Sequence, residues 1–227
     1  MRSYDQYCGI AKSLDVVGDR WTLLIVRELE VNGACRYTDL RNGLPGIATN
    51  LLADRLRELE AAGVIAREDA PPPIATTLYR LTPRGEELRP VLEGLALWGV
   101  PLMTERDPDD AVRSHWIAWG LELMLRDRQP DGPPFMIELQ TGDRPVVIET
   151  CDGELRSRLG PAENPDATLT GPPTPILALL LGLHELADAQ TQGVTYQGDT
   201  TLLDRIGADL GPAAIDPTAA RRSEVTP

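Results

Sequence analysis

Aromatic side chains are scarce in this 227-residue sequence: they make up 4% of it, with a single Phe. Histidine is scarcer still. His115 and His184 lie far apart, and neither stands at metal-ligand spacing from a cysteine or an acid, so no metal site is expected. The three cysteines (Cys8, Cys35, Cys151) are an odd and widely spaced set, which argues against a disulfide framework, and no CxxC pair suggests zinc. No apolar run approaches the ~20 residues of a membrane span. Met1–Asp5 carries no apolar leader pattern, so a cytoplasmic protein without a membrane partner is expected. GxSxG, P-loop and dinucleotide fingerprints are missing as well. The expectation is therefore no enzyme, no catalytic residue and no cofactor.

Positive charge is also short, at 22 Lys+Arg against 35 Asp+Glu for a net charge of −13. Taken whole, that balance opposes nucleic-acid binding, but it is uneven along the chain. Residues 1–104 hold 12 Lys+Arg and 14 Asp+Glu, a net of −2, whereas residues 105–227 carry a net of −11. Arg36, Arg41, Arg55 and Arg57 cluster within Ala34–Arg57 against Asp39 and Asp54, so a local positive patch is compatible with an acidic whole.

What is present in the first half is helical periodicity followed by a change of period. Ile10, Leu14 and Val17 mark one helix, ended at Gly18-Asp19. Trp21, Leu24, Ile25 and Leu29 mark a second over Arg20–Glu30. A short helix follows with Tyr37, Leu40 and Leu44 inward, then a turn at Pro45-Gly46. The helix Ala48–Ala62 carries the stripe Leu51, Leu52, Leu56 and Leu59, and Gly63 stops it. Val64–Arg67 and Thr77–Leu81 read as strands of a hairpin whose long tip, Asp69–Thr76, is rich in proline. Thr82-Pro83 reads as an N-cap with proline at the first helical position. The helix after it places Leu88, Val91, Leu92, Leu95, Trp98 and Leu102 on one face. Four helices, a hairpin and a helix, in that order, describe a winged helix-turn-helix.

The segment also resembles the HxlR-type transcriptional regulators. The resemblance rests on Cys8, on Leu14-Asp15-Val16-Val17-Gly18-Asp19-Arg20-Trp21-Thr22-Leu23-Leu24-Ile25 and on Arg36-Tyr37-Thr38-Asp39-Leu40. It continues through Leu44-Pro45-Gly46-Ile47, Leu56-Arg57-Glu58-Leu59-Glu60 with Gly63, and Tyr79-Arg80-Leu81-Thr82 with Gly85. It implies a homodimer built from the first and last helices, and double-stranded DNA with a palindromic operator as partner. The candidate DNA-binding residues are Arg36, Thr38, Ala48, Thr49, Asn50, Arg55 and Thr76. Members of this family often begin the recognition helix with Ser-Pro-Lys. Here Ala48, Thr49 and Asn50 stand at those positions, Asp54 replaces a glutamine, and the wing tip is Pro71-Pro72-Pro73. Fewer cations neutralise fewer phosphates, so weaker or less salt-sensitive binding is expected. Asn50 retains the bidentate pairing with adenine that its amide allows, and Thr49 the reach to a base edge. Trp21 reads as core. Cys8 lies near a helix start with Lys12 one turn on, which makes it a candidate redox residue.

A charged break, Glu105–Asp110, separates the second half. The expected division is 1–104, a winged helix-turn-helix for DNA binding and dimerisation; 105–211, a ligand-binding domain; and 212–227, a disordered tail. The second half reads as a helix over Ala111–Arg128, strands Phe135–Gln140, Pro145–Thr150 and Ala167–Thr170, a helix Thr174–Leu183, a strand Gly193–Gln197, and a last helix with Leu202, Leu203 and Ile206. Asp166-Ala167-Thr168-Leu169-Thr170-Gly171 before a Leu-rich helix, and Val194-Thr195-Tyr196-Gln197-Gly198-Asp199-Thr200-Thr201-Leu202-Leu203, resemble the sterol-carrier-protein-2-like fold. That resemblance implies an α/β domain with a mixed sheet and a small apolar ligand. Trp116, Trp119, Phe135, Leu177, Leu180 and Leu203 are the candidate lining residues, and a solid core is the competing reading. The fold class expected for the chain is α+β. The functional expectation is a homodimeric transcriptional regulator modulated by an apolar ligand. The alternatives are redox sensing through Cys8 with a purely structural second domain, and a carrier-like protein whose winged helix contacts protein only.

Overall fold

The computed structural model describes residues 3–71, 76–103, 107 and 109–209. The expected tail at 212–227 and the prolines Pro72 and Pro73 of the wing tip lie outside the described residues, as does part of the charged break at 105–110. The chain divides into two compact units, Met1–Gly94 and Leu95–Pro227.

The first unit runs α1 (Gly9–Val17), α2 (Thr22–Asn32), β1 (Cys35–Arg36), α3 (Tyr37–Gly43), α4 (Thr49–Ala61), β2 (Ile65–Asp69), β3 (Thr77–Leu81) and α5 (Pro83–Glu86). The hairpin β2–β3 is antiparallel, and β1 adds on the outer side of β3, giving the order β1-β3-β2. This is a winged helix-turn-helix. Its core is Ile25, Val26 and Leu29 of α2, Leu40 and Leu44 from the α3 region, Leu52, Leu56 and Leu59 of α4, and Val64, Ile65 and Leu81 of the hairpin. Thr82 caps α5: its hydroxyl accepts from the Gly85 N–H at 3.1 Å and donates to the Gly63 carbonyl at 2.6 Å. Thr82→Ala removes both bonds and should cost about 1–2 kcal/mol in a denaturant titration, with an unchanged midpoint counting against the cap.

The single helix expected after Thr82 is two. α5 stops at Glu86, and α6 (Arg89–Gly99) restarts after Glu87-Leu88, followed by a 3-10 turn at Val100–Leu102. Pro90 explains the break: it has no N–H to bond the Glu86 carbonyl, so the ladder of α5 ends there and α6 starts anew with Pro90 in its first turn. Leu92 is buried, whereas Val91, Leu95, Trp98, Leu102 and Met103 are exposed.

The second unit is built on a five-stranded mixed sheet of order β7-β6-β5-β8-β9, comprising β5 (Met136–Gln140), β6 (Val146–Cys151), β7 (Glu154–Leu159), β8 (Ala167–Thr170) and β9 (Thr195–Gly198). β5 and β8 are parallel and every other pair is antiparallel. A second, two-stranded sheet pairs β4 (Leu125–Asp127) with β10 (Ile206–Ala208). The helices are α7 (Ser114–Met124), α8 (Pro173–Leu180), α9 (Leu186–Thr191) and α10 (Thr201–Arg205). The apolar face of the large sheet (Ile137, Leu139, Val146, Ile148, Ala167, Leu169) packs with Ile117 and Leu121 of α7 and Ile176 and Leu180 of α8.

Three expectations for this unit are corrected. The helix expected through Arg128 ends at Met124, because Leu125–Asp127 pairs as a strand with Ile206–Ala208. For the same reason Ile206 belongs to a strand and not to the last helix. β7 and α9 form where no element was expected. The β6–β7 hairpin turns on Asp152-Gly153, both at positive φ (52° and 78°), the geometry of a two-residue primed turn.

Candidate nucleic-acid interface

α3, the turn through Gly46 and α4 position the candidate site. Gly46 sits at φ 86°, a conformation that suits glycine. The Tyr37 hydroxyl donates to the Thr49 carbonyl at 2.7 Å and ties α3 to the first turn of α4. The Asp39 carboxylate accepts from the Arg36 N–H at 3.0 Å and fixes the start of α3.

α4 buries Leu52, Leu56 and Leu59 and presents Thr49, Asn50, Asp54 and Arg57 to solvent. Asn50 and Arg57 are seven residues apart, two helical turns, and so share one stripe. Ala48, the N-cap, is also exposed and offers no side-chain cap, which leaves the first-turn N–H groups without a side-chain acceptor. Arg36 and Thr38 are exposed at the start of α3, and Thr76 is half-buried at the tip end of the wing, where its carbonyl accepts from Ala70 N at 2.8 Å. Wing cations are paired with acids: Arg67 with Glu60 at 3.7 Å and Arg80 with Glu68 at 3.4 Å.

Arg55 stands apart from the other candidates. It projects from the flank of α4, with its side chain 18% exposed, and makes ion pairs with Asp19 of the α1–α2 connector and with Glu58. Arg57, which belongs to the positive patch but not to the candidate DNA-binding residues of the sequence, pairs with Asp54 on the outward stripe. Its seven-residue spacing from Asn50 was the signal that could have found it.

Cys8 is exposed as the N-cap residue of α1. The backbone N–H groups of Ala11 and Ile10 hold its thiol below the usual cysteine range. The Lys12 ammonium faces Asp15 at 3.4 Å. Cys35 is buried, and loss of solvent, together with the Asp39 and Glu28 carboxylates, pushes its thiol up to about 11. Among the described residues no cluster of His, Cys, Asp and Glu could hold a metal ion, and no helix is long and apolar enough to cross a membrane.

In the second unit Phe135 and Leu180 lie within the packed core, Leu177 and Leu203 pack at its margin, and Trp116 and Trp119 are half-buried on α7. Two surface concavities among the described residues lie elsewhere. One, of about 530 Å³, is lined by Tyr4, Leu14, Asp15, Asp19, Arg55 and Glu58 among others; a second, of about 240 Å³, lies between Glu122, Arg126, Glu154 and Arg156.

A three-stranded wing beside a recognition helix with an exposed polar stripe defines the class: a helix-turn-helix DNA-binding transcriptional regulator. The chain belongs to the HxlR-like helix-turn-helix family, whose model matches residues 16–107. It is similar to two uncharacterised HTH-type transcriptional regulators of Bacillus subtilis strain 168. One is YvaP, 36% identical over 87 residues, which are 38% of this chain and 80% of that protein. The other is YkvN, 36% identical over 95 residues, which are 40% of this chain and 77% of that protein. Among solved structures, the reduced form of the transcriptional regulator YodB from B. subtilis matches at 28% identity and a TM-score of 0.39, over 45% of this chain and all of that one.

Proposed function

We propose that the chain works as a homodimer in which α4 of each copy enters the major groove and reads one half of a palindromic operator. The observation that carries this reading is the outward stripe of α4, Asn50, Asp54 and Arg57, left exposed together with Thr49 at the helix start while the opposite stripe is core. Asn50 and Thr49 contact base edges; Arg36, Thr38 and Arg57 meet phosphates; Ala48 allows close approach; Thr76 sits where the wing meets the backbone. Half-sites should lie about 34 Å, or a multiple, apart. Dimerisation is supported by the apolar groups left uncovered on α1 (Ile10 at 73% exposure, with Leu14) and, separately, on α6 (Trp98 at 68%, with Leu95). Selecting sites from random DNA and footprinting the winner tests the reading; recovery of random sequence, or of sites without two-fold symmetry, sinks it. Arg36→Ala should weaken operator and random DNA alike and reduce the salt slope by about one per subunit.

For the region 105–211, a sterol-carrier-protein-2-like domain with a small apolar ligand is the finer reading. The half-buried pair Trp116 and Trp119, three residues apart on α7, supports it. A ligand that prefers the non-binding arrangement should lower operator affinity by roughly 5–150-fold. Titrating apolar compounds while following tryptophan fluorescence and operator release checks this, and a panel that moves neither signal counts against it.

The second reading, redox control through Cys8, is favoured by the exposure of that thiol and by the two N–H groups that hold it toward thiolate. Cys8→Ser should abolish release from DNA by peroxide; a mutant that peroxide still releases removes this reading.

A further inference from the structure

Two locally unfavourable features meet on one side of α4. Trp21, which opens α2, holds φ 80° and ψ −20°, a left-handed conformation that is rare and strained for a bulky side chain. Its indole lies beside the helix-turn-helix turn: a Cβ built on Gly46 would stand 3.9 Å from Trp21 Cη2. The Arg20 guanidinium lies 5.7 Å from the indole centroid. Two residues before Trp21, Asp19 pairs with Arg55 on the second turn of α4, and Glu58 shares the same guanidinium nitrogen. Arg55 Nε is buried there without a hydrogen-bond partner among the described residues. Burying an unsatisfied donor costs stability, so this arrangement is not the one that would best stabilise the fold. Trp21 and Asp19, through which the two features arise, both belong to the connector Gly18–Trp21, which thus touches the turn before α4 and the flank of α4 itself.

We propose that Asp19, acting through Arg55, is a positioning residue for DNA recognition, with Trp21 as the second point of grip. The connector sets the angle at which the outward stripe of α4 meets the base edges. Arg55 makes no DNA contact in this scheme; its charge is spent on Asp19 and Glu58. The inference rests on α4 being the base-reading helix. It assigns a function to a residue outside the helix-turn-helix. It also places the control of sequence discrimination in the segment that follows α1, whose uncovered apolar face is the proposed contact with a second copy.

The test measures, for the full chain, affinity for the selected site and for random DNA over a salt series. Asp19→Asn keeps the size and removes the charge. It should lower affinity for the selected site about tenfold, leave random-DNA affinity and the salt slope unchanged, and leave thermal unfolding close to wild type. Asp19→Glu should restore most of the discrimination. The Arg55→Gln loss should not add to that of Asp19→Asn, since the two remove one interaction. Equal loss on both DNAs together with a lowered melting temperature assigns Asp19 a merely structural role and overturns the proposal. Unchanged discrimination in Asp19→Asn overturns it as well. A wild-type chain with no site preference would instead overturn the reading of α4 itself.

Discussion

Replacing Arg205 with methionine is expected to cost about 3–5 kcal/mol of stability. The Arg205 side chain is 8% exposed and that of its partner Asp127 is 0%. Nη2 meets Asp127 Oδ2 at 2.5 Å and Nε meets Oδ1 at 3.3 Å, a bidentate pair. The remaining donors reach the Pro133 carbonyl at 2.6 Å and the Gln129 carbonyl at 3.2 Å, and the guanidinium stacks 4.5 Å over the Phe135 ring. Removing the cation strands a buried carboxylate and frees the loop that joins β4 to β5. The variant Asp127→Leu combined with Arg205→Met should be more stable than Arg205→Met alone, because it leaves no uncompensated charge. Urea midpoints of the full-length variants decide this. If the double replacement is no better than the single one, Arg205 acts through packing on Phe135 and not through its ion pair.

Asn50→Ala is expected to relax sequence preference at one base position of each half-site by about 1–3 kcal/mol, with little change in salt slope. An amide that spans two groups on an adenine edge contributes to choosing among bases and adds little to holding the backbone. Arg57→Ala should do the reverse: weaker binding to every sequence and a slope shallower by about one per subunit. Competition titrations against single-base variants of the selected site separate the two outcomes, and exchanged phenotypes would mean that the stripe is rotated on the duplex relative to the present assignment.

Much of the first unit was legible because its signals are local. The Leu52, Leu56 and Leu59 stripe, the stop at Gly63 and the Thr82-Pro83 cap each act within a turn or two of chain, and α4 and β3 lie where those residues put them. Strand β1 was missed because two residues, Cys35 and Arg36, become a strand only by lying against Leu78 and Tyr79. The second unit was less legible for the same reason on a longer scale. Leu125–Asp127 continues a helical pattern and leaves it only because Ile206–Ala208 offers a ladder. At the candidate interface, composition drew attention to the cations but did not orient them. A helical angle, read from Asn50 and from the Leu52, Leu56 and Leu59 stripe, places Arg57 outward, whereas the turn of Arg55 toward Asp19 depends on a connector 36 residues earlier in the chain.

The pairing of β10 with β4 also bears on the order in which the protein is made. Asp127 and Arg205 are 78 residues apart in sequence, and the strands beside them close the second unit. A nascent chain leaving the ribosome therefore completes its winged helix, all of whose strand pairings fall within the first 81 residues, while the other unit still lacks its closing strand. Synthesis must pass Ala208 before that unit can lock. A stalled or clipped chain ending short of it should thus hold a finished DNA-reading head attached to an unfinished partner exposed to proteases.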